Sequence, residues 1–152
     1  NTFNRHLICN HILTKAVVPS MKAACYGRII NIISTSVKIP LNNLGVSNTI
    51  RGAVASWSKT MANELGQFNI TVNNVLPGAT STGRLKSIIE NNANKKSVAI
   101  DDVEEEMKKE IPMKRFAEPS ELANVVAFLA SPAASYINGV NIPVDGGRTG
   151  AM

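Results

Sequence analysis

The sequence predicts an α/β domain built on a parallel sheet, and three observations predict it. Helical and strand patterns alternate along the 152 residues: helix, strand, helix, strand, helix, strand. Residues 28–34, RIINIIS, hold four isoleucines in seven positions. A strand apolar on both faces belongs in the middle of a parallel sheet with helices above and below. The first two strands each end abruptly, at Ser34-Thr35-Ser36 and at Pro77-Gly78. In open α/β sheets, sites form outside the carboxyl ends of strands.

Residues 2–24 read as a helix, because Leu7, Ile8, Ile12, Ala16 and Val17 recur near helical spacing. Its apolar positions cover a wide face, which predicts packing on two sides, and Pro19 is expected to bend or stop it. Strand 28–34 follows, then a loop over 40–43. From Leu44 the pattern is helical to Leu65. Ile50, Ala53, Val54, Trp57, Met61 and Leu65 form one stripe, and Gly66 is expected to close the helix. Trp57 and Met61 read as core or subunit contacts. The small residues Gly52 to Ser56 would let another backbone come close. Residues 69–76, NITVNNVL, form the second strand. An excursion over about 79–111 reads as two helical pieces, 84–90 and 101–111, and excursions of this length often cover a site. Pro119 suits the first position of a helix over 119–130, with Leu122, Val125, Val126 and Leu129 inward. Residues 136–144 form the last strand. Three strands cannot bury one at the edge, so something must cover the free side of residues 28–34. The expectation is an incomplete sheet, lacking βαβ units that precede these residues.

Composition narrows the class. The hydrophobic fraction is 44% and no stretch reaches the ~20 apolar residues of a membrane span. The net charge is +5, but the basic residues are scattered, which favours a solvated mixed surface over a nucleic-acid partner. The two cysteines lack metal-ligand spacing. Cys9 reads as a small core hydrophobe, and the setting as reduced and cytoplasmic.

Ser34 ends the first strand, Ser47 stands thirteen positions later, and Arg51 four beyond that. A side chain at a strand end and two side chains one helical turn apart can converge on one pocket. Other readings stand beside this one. Ser34 could cap the next turn, Ser47 could cap the helix start, Arg51 could pair with a surface carboxylate, and His6 could be a packed or surface histidine.

Five stretches together carry a family resemblance. They are GRIINIIS, RGAVASWSKTMANEL, ITVNNVLPGATST, PMKRFAEPSELANVVAFLAS and NGVNIPVDGG. In this order they resemble the C-terminal half of a classical short-chain dehydrogenase/reductase, closest to the β-ketoacyl-acyl-carrier-protein reductase-like branch. The resemblance implies a Rossmann-type fold of which residues 1–152 are the C-terminal part. It also implies NAD or NADP, and hydride transfer to or from a carbonyl or alcohol on a small or acyl-carrier-linked substrate. It implies a homo-oligomer, dimer or tetramer. The family's catalytic serine falls on Ser34, its tyrosine on Ser47, its lysine on Arg51 and its asparagine near His6. Its nicotinamide-bordering loop falls on Pro77, Gly78, Thr80 and Thr82, with Arg51 at the ribose.

Two departures qualify these implications. No glycine-rich phosphate loop occurs in these residues, so a dinucleotide is expected to bind only with the half that would precede them. Three of the four catalytic positions are changed. A serine hydroxyl is a poor general acid beside a phenol of pKa ~10, and an arginine keeps its charge and cannot shuttle a proton. Two functions follow: an oxidoreductase with a degenerate catalytic set, or a non-catalytic oligomerisation module of the same fold.

Overall fold

A computed structural model describes residues 2–150; Asn1, Ala151 and Met152 lie outside the described residues. A π-helical segment, Asn4–Ile8, runs directly into α1, Cys9–Ala23. Then follow β1 (Gly27–Ile32), a 3₁₀ turn at Thr35–Val37, α2 (Gly45–Leu65) and β2 (Ile70–Pro77). The excursion holds α3 (Gly83–Lys96) and α4 (Ile100–Lys109), and the chain ends through α5 (Pro119–Ala130) and β3 (Asn141–Val144).

The three strands form one parallel sheet in the order β1-β2-β3. β2 is the central strand, and every residue from Ile70 to Leu76 is buried. On one face Ile29, Ile33, Ile70, Val72 and Leu76 lie under α1 and α2, packed with Val54, Ala55, Ala62 and Leu65. On the other, Ile30, Val75, Ile142 and Val144 lie under Leu129, Val125 and Val126 of α5. These are the two helix layers expected around a parallel sheet. The excursion has its own small core of Leu85, Ile89, Ala93, Val103, Ile111 and Phe116.

The sheet also carries a polar rung that crosses all three strands. Asn31 pairs in register with Asn74, and Asn74 with Asn141. Asn31 Nδ2 donates to Asn74 Oδ1 at 3.1 Å, and Asn74 Nδ2 donates to Asn141 Oδ1 at 2.8 Å. Ser58 of α2, fully buried, donates to Asn74 Oδ1 at 2.8 Å and accepts from Asn31 Nδ2 at 2.9 Å. Asn10 of α1 reaches Asn31 Oδ1 at 3.3 Å. Buried amides must find partners, and these find each other.

β1 lies at the edge of the sheet, as an incomplete sheet predicts; Ile29 and Ile30 are half-buried and Ile32 is exposed, because no strand among the described residues covers its far side. Several other expectations are corrected. α1 is not packed on two sides: Ile8, Ile12, Leu13 and Val17 are exposed, and so is Cys9. Helix α1 runs through Pro19 to Ala23. Gly66 caps the end of α2, but in right-handed backbone; it opens a 3₁₀ turn, and Asn69, at φ 58°, makes the left-handed stop. The first excursion helix continues to Lys96, where Ser97 takes the left-handed position. The last strand begins at Asn141, because residues 137–140 pair otherwise. Gly139 N bonds Val72 O at 3.0 Å, Asn138 Oδ1 accepts from Val72 N at 2.8 Å, and Asn73 Oδ1 accepts from Val140 N at 3.2 Å. Gly139 has φ +72°, and a side chain there would also strike Lys59.

The rung predicts an unequal mutational cost. Asn74→Ala removes three side-chain hydrogen bonds at once, to Asn31, Ser58 and Asn141, and should cost on the order of 3 kcal/mol, whereas Ser58→Ala, which leaves Asn31 and Asn74 paired, should cost about 1. Urea unfolding of both variants in the full-length protein measures the difference.

Candidate active site

The carboxyl ends of β1 and β2 present the chemistry. Ser34 follows β1 in extended backbone and caps the 3₁₀ turn, its Oγ accepting from Ser36 N at 3.1 Å. The capping role is therefore real, and it leaves the hydroxyl proton without an acceptor among the described residues. Ser34 is half-buried, so that proton can reach a ligand.

Helix α2 begins at Gly45 behind Leu44, so Ser47 is not its cap; it lies in the first turn, and its hydroxyl makes no hydrogen bond among the described residues. Asn48 Nδ2 ties this turn to Leu41 O at 2.8 Å. One turn further on, Arg51 Nη1 reaches back to Ile32 O at 3.5 Å, at the last residue of β1. Among the described residues Arg51 forms no ion pair with a carboxylate. Another turn on, Val54 and Ala55 pack with Ile33 and Leu76, which seats α2 across the ends of both strands. The structure thus brings Arg51 to the strand end that carries Ser34. No hydrogen bond joins the hydroxyls of Ser34 and Ser47.

His6 comes from the π-helical segment, half-buried, and approaches this group. Its pKa lies below the usual 6.5, first because burial disfavours the charged imidazole, then because Arg51 and Arg5 repel it. It is therefore neutral at neutral pH and offers one donor and one acceptor. The Arg51 guanidinium is itself lowered from its ordinary value by burial and by the charge of Arg84. Arg84, in the first turn of α3, and Arg5 were not singled out in the sequence. No local pattern marks either of them; only the fold brings them near Arg51 and His6.

The second loop is held by close approach. A side chain on Gly78 would lie 2.7 Å from Asp145 Cβ and 2.8 Å from its Cα, so only glycine lets the end of β3 pass. The loop then pairs with the segment before α5: Ala117 N bonds Ala79 O at 3.0 Å and Ser81 N bonds Ala117 O at 2.8 Å. That segment is clamped by Arg115, whose two Nη atoms each lie 2.7 Å from Glu121, while Glu121 also accepts from Glu118 N at 2.8 Å. The Arg115 bonds, with the Glu118 amide second, hold the Glu121 carboxyl down to about 2. Thr80 Oγ1 donates to Gly78 O, and Thr82 Oγ1 donates to Thr80 O while accepting from Leu85 N as the cap of α3. The Thr80 oxygen keeps its acceptor capacity, which suits an amide N–H. Pro77 ends β2 beside it.

An open parallel sheet flanked by helices, with polar groups gathered at its carboxyl edge, is the architecture of a doubly wound α/β fold. Residues 1–149 match a family model described as enoyl-(acyl carrier protein) reductase. The chain is 37% identical over 146 residues to the NADPH-dependent reductase BacG of Bacillus subtilis, covering 96% of this chain and 56% of that protein. It is 40% identical over 133 residues to the 3-oxoacyl-[acyl-carrier-protein] reductase FabG of Staphylococcus epidermidis, covering 86% and 49%. The crystal structure of YwfH, an NADPH-dependent reductase involved in bacilysin biosynthesis, superposes with a TM-score of 0.93 at 35% identity, over 99% of this chain and 58% of that one. The chain belongs to the short-chain dehydrogenase/reductase family, classical type, and its sheet is the C-terminal half of that fold. It spans about half the length of the relatives it matches. Among the described residues no helix is long and apolar enough to cross a membrane.

His6 provides a direct check on this geometry. Its NMR titration midpoint should fall below 6.5, and Arg51→Gln should move it upward. The folded state binds this proton less tightly than the unfolded chain does. Its contribution to stability is therefore present above pH 6.5 and lost as pH falls through the lower folded midpoint.

Proposed function

We propose that the protein carrying this chain is an NAD(P)-dependent oxidoreductase, transferring hydride to or from a carbonyl or alcohol. These residues supply its catalytic and substrate-binding half. The observation that carries the reading is the Arg51 guanidinium resting on Ile32 O beside Ser34, with Ser47 one turn before it on the same helix. When bound, a nicotinamide dinucleotide supplies or accepts the hydride. The residues present fit it in part: Arg51 can bond ribose hydroxyls, and Pro77, Gly78, Thr80 and Thr82 form a fixed border with an acceptor at Thr80.

Ser34 donates its free hydroxyl proton in a hydrogen bond to the substrate oxygen. Ser47 can add a second hydrogen bond, but it lacks the acidity of a phenol. Arg51 binds and orients without passing a proton. His6, held neutral, offers a donor and an acceptor much as a side-chain amide does. The proton therefore comes from water or from the substrate, and the chain's own groups position the oxygen. The excursion over 79–111 acts as the substrate lid. The substrate is a small or acyl-carrier-linked carbonyl compound, a reading supported by the names of the relatives. Two exposed, unpaired cysteines support a cytoplasmic setting.

A second reading, a non-catalytic oligomerisation module, is favoured by one observation. Ile8 at the end of the π-helical segment, Ile12, Leu13 and Val17 of α1 and Val46 of α2 are exposed, apolar surface suited to a dimer or tetramer.

The two readings separate in the full-length protein. Ser34→Ala should lower kcat/KM for NAD(P)H-dependent carbonyl reduction by roughly 10²-fold. Ser47→Tyr combined with Arg51→Lys should raise it by about 10²–10⁴, the worth of a general acid. No gain, with an unchanged oligomer by light scattering, favours the module.

A further inference from the structure

Three loops converge on one cavity at the carboxyl edge of the sheet. Thr35, Ile39 and Leu41 line it from the segment after β1, Glu110 from the excursion after β2, and Arg148 and Thr149 from the turn after β3. In open α/β sheets, a crevice outside the carboxyl ends of the strands is where ligands bind. Thr35 directly follows Ser34, so the cavity adjoins the residue that would hold the reacting oxygen. Its volume is about 230 Å³. Sites for drug-sized ligands run to ~300–1,000 Å³, so this one fits a small molecule.

Two of its walls are fixed. Thr35 O accepts from Lys38 N at 2.9 Å and from Ile39 N at 3.1 Å, and Leu41 O accepts from Asn48 Nδ2 of α2 at 2.8 Å. In the turn after β3, the Asp145 carboxylate accepts from Gly147 N at 3.0 Å and from Thr149 N at 2.8 Å. The third wall is the trailing end of the excursion, which meets that turn along a seam. Met113 N donates to Gly146 O at 3.2 Å, and a side chain on Gly146 would lie 2.8 Å from Ile111 Cγ2. At the cavity itself, Arg148 Nη2 lies 2.5 Å from Glu110 Oε2. Glu110 caps the C-terminal end of α4, where a carboxylate is unfavourably placed against the helix dipole, and Arg148 offsets it. Both side chains are partly exposed, so the pair opens at little cost. A contact that is cheap to break, between the excursion and a fixed turn, suits a clasp.

We propose that Arg148 and Glu110 clasp the excursion over this cavity and are specificity-determining residues, admitting small uncharged carbonyl compounds and excluding bulky ones. The carbonyl in that description rests on the oxidoreductase reading; the cavity and its clasp do not. The two charges neutralise each other, and the remaining lining, Thr35, Ile39, Leu41 and Thr149, carries none. An ionic ligand group would have to break the pair to find a partner. Closing the clasp sets the width of the cavity, and opening it frees the Glu110 end of α4.

The test uses the full-length protein without dinucleotide, so that no turnover occurs, with its methyl groups labelled for NMR. Cyclohexanone and 4-phenylcyclohexanone are the probes; they differ in bulk and not in charge. Cyclohexanone should shift the methyl signals of Thr35, Ile39 and Leu41 saturably, and 4-phenylcyclohexanone should leave them in place. In Arg148→Ala and in Glu110→Gln the bulky ketone should bind roughly tenfold or more tighter than in the wild type. Reversing the pair, Arg148→Glu with Glu110→Arg, should exclude it again. A merely structural role for either side chain would not be rescued in this way. 4-Oxocyclohexanecarboxylate, the same ring with one charge, should bind no tighter than cyclohexanone. Unmoved methyl signals with cyclohexanone, equal binding of both ketones to the wild type, or tighter binding of the acid overturns the proposal. So does an unchanged preference in the single variants, or no rescue in the reversed pair. Should one single variant fail to fold, the other still decides. Reduction of cyclohexanone by NADPH is read separately. Its absence beside intact binding and rescue counts against the oxidoreductase reading and not against the clasp.

Discussion

The hydrogen-bonded rung Asn31–Asn74–Asn141 is the constraint on which the rest of the structure depends. It crosses the whole sheet in register, and a slip of any strand by one residue would turn one amide to the other face and leave its neighbours unpaired in the core. It also fixes two helices. Ser58 joins it from α2, two turns beyond Arg51. Asn10 joins it from α1, one turn beyond His6. The polar interior therefore sets the depth and rotation of both helices that carry site residues. Apolar packing alone, as between Val54, Ala55 and Leu76, would hold α2 against the sheet with less directional control.

That framework delivers an electropositive site. In the proposed correspondence, Ser47 and Arg51 stand where the family has its tyrosine and lysine, and the difference is chemical as well as steric. A phenol beside an ammonium can give up a proton; a serine beside a guanidinium binds and orients. Burial and the neighbouring arginines keep His6 uncharged, so nothing in the described cluster is both protonated and ready to release at neutral pH. What the edge of the sheet does hold is hydrogen-bond donors and positive charge.

Much of this was legible in the sequence. The alternation of elements, the two helical pieces of the excursion and Pro119 at the first position of α5 follow from local pattern and turn chemistry. Ser34, Ser47 and Arg51 could be placed because strand end and helix spacing are local facts. The edge position of β1 was legible too: four isoleucines describe a strand meant to be covered, and the cover is not among these residues. The rung escaped notice because Asn31 and Asn74 look like isolated polar interruptions of apolar strands until register sets them side by side. Asn138 and Gly139 delayed β3 in the same way, since side-chain bonds to β2 replaced the ladder there. Arg84 joined the site through tertiary placement alone.

The account comes down to where a nicotinamide ring sits against this chain. A crystal structure of the full-length protein with NADPH bound is the most direct measurement. It should show the ring between Ser34 and the Pro77–Gly78 turn, with the ribose hydroxyls on the Arg51 guanidinium. A ring bound elsewhere, or an Arg51 turned away from the dinucleotide, would contradict it.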